Sequence, residues 1–350
     1  MRNKTDKRIP VTIAGGGLAG LTLGIALRQN DVPVTLVEAA RYPRHRVCGE
    51  FISGAGRQVL EELGLMPLLV REGIQTASHA AFYSAQVASV PRPLPEPALC
   101  ISRFRLDALL AREFQRLGGK LHEQQRWQDP FGEGIVRATG RRIVPAENGW
   151  RWFGLKVHAR NIRLQADLEM HFTRDGYVGI CQLPGGEVNV CGLFRSREAQ
   201  PDLVREWKNR LQGAPGTPLR ERMAGAVLDE ESFCAVAGLA LQPRRATSHG
   251  ECAIGDAISM IAPVTGNGMS MAFESAAIAA GLLTHYSTGE LSWDAARREI
   301  ATACDRAFST RLRWAGRLQR LLLQPRLAPI LIHLGSRSGT AWNILFQKTR

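Results

Sequence analysis

The chain has 350 residues, 45% hydrophobic and 22% charged, the make-up of an ordinary globular protein with room for one large or two intimately joined domains. No apolar run approaches the roughly 18 residues that cross a bilayer, the basic N-terminus MRNKTDKRIP lacks the apolar stretch of a signal peptide, and seven scattered cysteines without a CxxC argue against a disulfide framework or zinc site and for a reducing cytoplasm. Net charge is +13, and the segment from Asp305 to Arg350 holds nine Lys/Arg against one acid.

In chain order, Val11 to Ala14 is a short apolar run of strand type, followed by Gly15-Gly16-Gly17-Leu18-Ala19-Gly20, a helical stretch, a second strand Val34 to Val37, and Glu38. Gly15 permits the tight strand-to-helix turn, Gly17 lets backbone approach a pyrophosphate, and Gly20 lets helix and strand pack closely. Leu18 and Ala19 open a helix whose free N–H groups favour phosphate. Glu38 stands where an acid accepts hydrogen bonds from ribose hydroxyls. A dinucleotide site follows; a structural glycine turn in another α/β domain is the alternative.

Helical spacing recurs over 53–65 and over 101–119, which ends at Gly118-Gly119. Residues 76–97 suggest strands closing in the proline-rich PRPLPEP, and 134–140 reads as a buried strand. From Trp152 to Phe194 several strand-like runs are separated by turn signals at Asp175-Gly176 and Gly185-Gly186, the pattern of an antiparallel sheet. A helix is expected over 202–212, a strand at 252–255, and a long Ala-rich helix from Gly268. In the C-terminal segment Arg306, Arg313, Arg317 and Arg320 share one helical face, and Phe308, Ala315, Leu318 and Leu322 the other, with Arg311 on the apolar side. Such a helix packs on the protein and solvates its arginines, or lies on an anionic membrane. No nucleic-acid motif accompanies the charge.

Three segments resemble the FAD-dependent oxidoreductases of the p-hydroxybenzoate hydroxylase and geranylgeranyl reductase superfamily. Ala253-Ile254-Gly255-Asp256-Ala257, with Pro263-Val264-Thr265-Gly266-Asn267-Gly268-Met269 after it, is similar to the second FAD signature. The resemblance implies that Asp256 meets a ribityl hydroxyl, and that Pro263, Gly266, Asn267, Gly268 and Met269 face the pyrimidine edge of the flavin. Ser102-Arg103-Phe104-Arg105-Leu106-Asp107 looks like the family's helix start, with Arg103 on FAD and Asp107 supporting the helix. Arg46-Val47-Cys48-Gly49 is similar to the loop whose Cys-Gly pair lies beside the flavin, with Arg46 a pyrophosphate contact and Cys48 a catalytic candidate or an inert thiol.

The chain departs from the family at Ala138-Thr139-Gly140, where a carboxylate is usual, and at Gly176 to Ile180, where halogenases carry paired tryptophans. The segment between Leu121 and Gly134 is too short for the usual hairpin.

The resemblance implies an α/β fold: a Rossmann-like FAD-binding domain of glutathione reductase type from 8–75, 98–149 and 234–300, an inserted antiparallel β-sheet substrate domain from 76–97 and 150–233, and basic C-terminal helices over 301–350. It implies FAD, with NAD(P)H as a transient reductant, and monooxygenation of a lipophilic or aromatic small molecule through a flavin C4a-hydroperoxide. The alternatives are a geranylgeranyl reductase-like C=C reductase and a non-catalytic or electron-transfer flavoprotein. His79, Tyr83, His158 and Tyr177 fall on substrate-domain strands and read as structural rather than as acids or bases. The expected location is cytoplasmic, with peripheral membrane contact through the basic C-terminal segment.

Overall fold

The computed structural model describes residues 8–84, 87–197 and 203–349. The basic N-terminal MRNKTDK and the start of the helix expected over 202–212 lie outside them. The chain opens with β1 (Val11–Ala14), α1 (Leu18–Gln29) and β2 (Val34–Val37). It crosses to a second layer for β3 (Phe51–Ile52), α2 (Ala55–Glu62), α3 (Met66–Arg71), β4 (Gln75–Tyr83) and β5 (Arg92–Cys100). It returns through α4 (Arg103–Arg116) to β6 (Lys120–His122) and β7 (Ile135–Arg137). There follow β8 (Arg151–Arg160), β9 (Leu168–Thr173), β10 (Gly176–Gln182), β11 (Val188–Ser196), α5 (Leu203–Gln212), α6 (Pro218–Arg222) and β12 (Val227–Ala237). The chain closes with β13 (Cys252–Ala253), α7 (Gly268–Ser287), α8 (Trp293–Leu322), α9 (Ala328–Arg337) and α10 (Gly339–Thr349).

The first sheet runs β6-β2-β1-β7-β13, parallel throughout. Counted in order of appearance this is 3-2-1-4-5, and the order reverses between β1 and β7, where such sheets open a ligand crevice at their C-terminal ends. Residues Leu18 to Leu27 of α1 are buried without interruption. The helix lies between the sheet, α4 and α7, so it has no polar face to present.

The second sheet runs β12-β8-β11-β10-β9-β4-β5-β3. Its centre is antiparallel, but β4 pairs with β9 in parallel, from Ala80↔Leu168 to Tyr83↔His171, so the sheet is mixed rather than wholly antiparallel. The reason is connectivity. β4 follows β3 through two helices and reaches β9 only after a long excursion of the chain, so no hairpin dictates the direction of that pairing. The domain limits expected at 97/98 and 233/234 fall inside β5 and β12. Phe153, Leu155, Val157, Val178, Ile180 and Val190 form the sheet's outer face, covered by Trp207 and Leu211 of α5. The inner face turns toward the nucleotide layer.

α8 buries Ile300, Cys304, Phe308, Leu312 and Ala315, while Arg306, Arg313, Arg317 and Arg320 stand in solvent. Arg311, on the apolar side of the wheel, is paired with Glu274 of α7 at 2.6 and 3.1 Å. Among the described residues no helix is long and apolar enough to cross a membrane.

Candidate active site

The glycine-rich turn sits at the β1/β7 reversal. Gly15 has φ +111°, and a Cβ there would come within 2.3 Å of the Ala138 carbonyl oxygen. A Cβ on Gly20 would lie 1.9 Å from the Gly15 carbonyl oxygen. A Cβ on Gly17 would meet nothing within 4 Å. The chain's own packing therefore requires glycine at 15 and 20, whereas at 17 the space in front of the turn is open. Gly17 caps α1 without a side-chain hydrogen bond, so the N–H groups of the first turn, Leu18 and Ala19 included, face that space unspent.

Beside the turn lies a charged cluster. Glu38 is 4% exposed. One of its oxygens accepts the Gly16 N–H at 2.7 Å; the other accepts Ala40 N–H at 2.9 Å and Arg44 Nη2 at 2.7 Å. The first oxygen keeps a lone pair for a ribose hydroxyl. The Tyr42 hydroxyl donates to the Gly16 carbonyl. Arg46 reaches Glu38 at 3.8 Å and Asp107 at 3.3 Å, and Arg103 holds Asp107 in a fork at 2.6 and 2.8 Å. Three guanidiniums thus meet two carboxylates, and the buried Nε of Arg44 has no hydrogen-bond partner among the described residues. Open space before the helix start, surplus positive charge and an orphaned donor fit the diphosphate of a dinucleotide.

The second arm arrives from far along the sequence. Gly255 follows β13 with φ +60°, and its N–H donates to Ser275 Oγ of α7 at 2.9 Å. Asp256 is exposed. Desolvation by the protein around it nonetheless pushes its carboxyl up to about 6, against the opposing pull of Arg141 and Arg103. The turn Pro263–Thr265 leads through Gly266 (φ +66°) and the fully buried Asn267 into Gly268 and Met269, the first turn of α7, again without a side-chain cap. Gly266 lies against Phe51, and Ser270 Oγ donates to the Ser53 carbonyl, which ties this helix start to the segment after Cys48-Gly49.

Gly49 is exposed and Cys48 half-buried. Facing them from the inner face of the second sheet is Gly179, flanked by Met170 and Cys191. All three retain surface in mid-sheet, and a Cβ on Gly179 would touch only the Cys191 carbonyl, at 3.7 Å. The space over Gly179 is therefore open beside the Cys48-Gly49 loop, which Cys181 Sγ and Asn189 Nδ2 bind to the sheet at 3.2 and 3.0 Å. Burial pushes the Cys48 thiol up, with Arg103 opposing it.

Behind that loop is a cluster that the sequence reading missed. Glu50, fully buried and at φ +59°, accepts Arg103 N–H at 2.9 Å and pairs with His158 Nε2 at 2.7 Å and Lys156 Nζ at 3.5 Å. Lys156 is fully buried and also lies 3.1 Å from His45 Nδ1. Burial and the charge of Lys156 lower His45 to about 4. The signal was present: a lysine in the apolar strand FGLKVHA needs a buried partner. Of the histidines and tyrosines noted on the strands, His158 joins this cluster and His79 is exposed on the rim. Tyr83 stacks on His171 with centroids 4.5 Å apart. The Tyr177 hydroxyl is buried on the same face as Gly179, with no hydrogen-bond partner among the described residues.

A squalene epoxidase family profile matches residues 196–299. The menaquinone reductase of Mycobacterium tuberculosis is 23% identical, over 97% of this chain and 90% of that one. One component of the anaerobic glycerol-3-phosphate dehydrogenase of Haemophilus influenzae is 24% identical over 58% of this chain, which spans about half of that relative (52%). Among solved structures, the flavin-dependent brominase Bmp2 superposes with a TM-score of 0.71 at 15% identity, covering 96% of this chain and 92% of its own. A variant of halogenase PltM in complex with FAD superposes at 0.73 and 14% identity, covering 97% and 82%.

The chain therefore has the fold of flavin-dependent enzymes. Within that fold, the glycine turn, the Glu38–Arg44–Arg46 cluster and the Asp256–Met269 arm are the parts that fit FAD. At these identities the halogenases establish the fold alone.

Proposed function

We propose that this protein is an FAD- and NAD(P)H-dependent monooxygenase of an apolar or aromatic small molecule, working at the cytoplasmic surface of a membrane. The observation that carries the proposal is the opening over Gly179, walled by Met170, Cys191 and the ring of Tyr177, beside the Cys48-Gly49 loop. Bound FAD supplies the redox and oxygen chemistry. The chain supplies the rest. The start of α1 with Arg44 and Arg46 holds the diphosphate, Glu38 the ribose and Asp256 the ribityl chain. The start of α7 offers its positive dipole to negative charge on the pyrimidine edge. The orphaned Tyr177 hydroxyl is a donor for a polar atom of the substrate.

The squalene epoxidase profile supports oxygenation, and its name, like that of menaquinone reductase, denotes a long apolar substrate. Membrane contact has its own support: Leu321, Leu327, Ile330 and Leu334 are 38 to 58% exposed at the end of α8 and along α9, beside the arginines of α8. A second reading is a reductase: the menaquinone reductase match along nearly the whole chain supports reduction, and the Cys48-Gly49 pair supports reduction of a C=C bond.

The test mixes the FAD-loaded protein with NADH or NADPH, lipophilic phenols or polyenes, and labelled O₂. Label in the product supports the proposal. Product reduced without oxygen consumption overturns it in favour of the second reading. A flavin that neither nucleotide reduces overturns the NAD(P)H assignment.

A further inference from the structure

The glycine turn is committed to FAD, so a nicotinamide dinucleotide needs ground of its own. On the far side of the end of β7 lies a cleft of about 380 Å³, lined by Phe131, Arg137, Arg142, Arg244, Ser248 and His249 among others. That volume is in the range of small-ligand sites. Only Ala138 separates Arg137 from Thr139, and the Ala138 carbonyl packs on Gly15, so the cleft backs directly onto the FAD crevice.

Its charge is one-sided. Glu251 pairs with Arg137 and lies 3.7 Å from Arg142, leaving one carboxylate for three guanidiniums. Arg244 is exposed, and the mutual repulsion of Arg244, Arg137 and Arg142 adds to burial in lowering Arg142. His249 is 7% exposed and oriented. Its Nε2 lies 3.1 Å from the Ile258 carbonyl, so that nitrogen carries the proton, and Nδ1 accepts from Arg142 Nη2 at 3.4 Å. The ring is held neutral by burial and by Arg244 and Arg142, so it fixes the direction of Arg142 without adding repulsion of its own. Three converging guanidiniums suit a phosphate monoester, which offers up to two negative charges and three acceptor oxygens. At the edge, Phe131 lies 5.3 Å beneath the Arg137 guanidinium, a cation–aromatic pair on which a purine could stack, with the tilted ring of Trp127 6.5 Å away.

We propose that this arginine cleft binds the adenosine end of a phosphorylated nicotinamide dinucleotide, with Arg142 and Arg244 on the 2′-phosphate and the Phe131–Arg137 stack beneath the adenine. The inference rests on the reading of NAD(P)H as reductant and selects NADPH over NADH.

The test is calorimetric titration of the FAD-loaded protein with adenosine 2′,5′-bisphosphate, 5′-AMP and inorganic phosphate. Saturable binding of the bisphosphate is expected, at least roughly tenfold tighter than that of 5′-AMP. Arg142→Gln with Arg244→Gln weakens it by roughly tenfold or more, with FAD content and melting temperature unchanged, because both side chains are at the surface. No saturable binding at millimolar bisphosphate, equal binding of 5′-AMP, or binding indifferent to the double substitution overturns the site. Flavin reduction by NADPH that is unaltered in the double variant also overturns the site while leaving the reductant reading intact. Substitution-sensitive bisphosphate binding without flavin reduction does the reverse.

Discussion

Gly17 and Gly20 belong to one turn but answer to different neighbours, which makes the cofactor site separable from the fold. A methyl group on Gly17 meets no chain atom within 4 Å, whereas on Gly20 it overlaps the Gly15 carbonyl. Gly17→Ala should therefore leave the melting temperature of the FAD-free protein unchanged and cut FAD affinity, read by fluorescence titration. Gly20→Ala should lower the melting temperature of the FAD-free protein as well. Lys156 poses the opposite problem, because it is fully buried and its compensation is Glu50 at 3.5 Å. Lys156→Met leaves a buried carboxylate short of one cation and should cost about 3 kcal/mol in denaturant unfolding, the usual consequence of removing half of a buried pair. His45, beside it, is lowered to about 4 from an ordinary value near 6.5. The unfolded chain binds the extra proton first as pH falls, so stability tied to His45 is present above about 6.5 and is lost toward 4. Unfolding measured from pH 7.5 to 4 should show a shallower acid loss in His45→Gln than in the parent; equal slopes would contradict the assignment.

Elements differed in how openly the sequence declared them. β1, β2 and the turn between them were legible because a short apolar run, three special glycines and a terminal acid each have a single physical use. β5 was misjudged at its boundary because PRPLPEP looks like a breaker. Pro93 pairs with His79, whereas Pro95 and Pro97 fall in the irregularity between Ala77↔Ala98 and His79↔Pro93, where no ladder pairing is required of their missing N–H groups. Glu50, Lys156 and His45 went unread because their meeting depends on the register of β8 against a loop more than a hundred residues earlier, which no local pattern carries. α9 was expected only as part of a basic segment, yet Ile332 packs inward with Tyr177 and Val264 while Leu327, Ile330 and Leu334 face outward. If that outward stripe docks on lipid, the protein should float with vesicles containing anionic lipid and not with neutral ones. Ile330→Ser with Leu334→Ser should abolish flotation without altering FAD content. Retained flotation in that variant would refute docking through α9.

At the scale of the whole molecule, the two sheets have separate hydrophobic cores but a common boundary of polar contacts. Arg103 N–H and His158 meet on Glu50, Lys156 bridges to His45, and the Cys48-Gly49 loop is tied to β10 and β11 through Cys181 and Asn189. FAD held as proposed, across the glycine turn, the start of α7 and the Cys48 loop, would lie along that boundary and belong to neither core alone. A ligand that binds only the native state stabilises it by about 2.7 kcal/mol at a hundred times its dissociation constant. Because the boundary is shared, that stabilisation should reach both sheets. Trp207 lies in the outer core of the second sheet, and Trp293 packs beside Tyr286 against the first, so single-tryptophan variants report each separately. With FAD bound, the two reporters should unfold in one transition, displaced equally to higher denaturant. In Lys156→Met, which removes the deepest tie across the boundary, the Trp207 transition should precede the Trp293 transition and gain less from FAD. Coincident transitions in the variant would mean that packing alone couples the sheets, with the buried charges serving only the local geometry of the Cys48 loop.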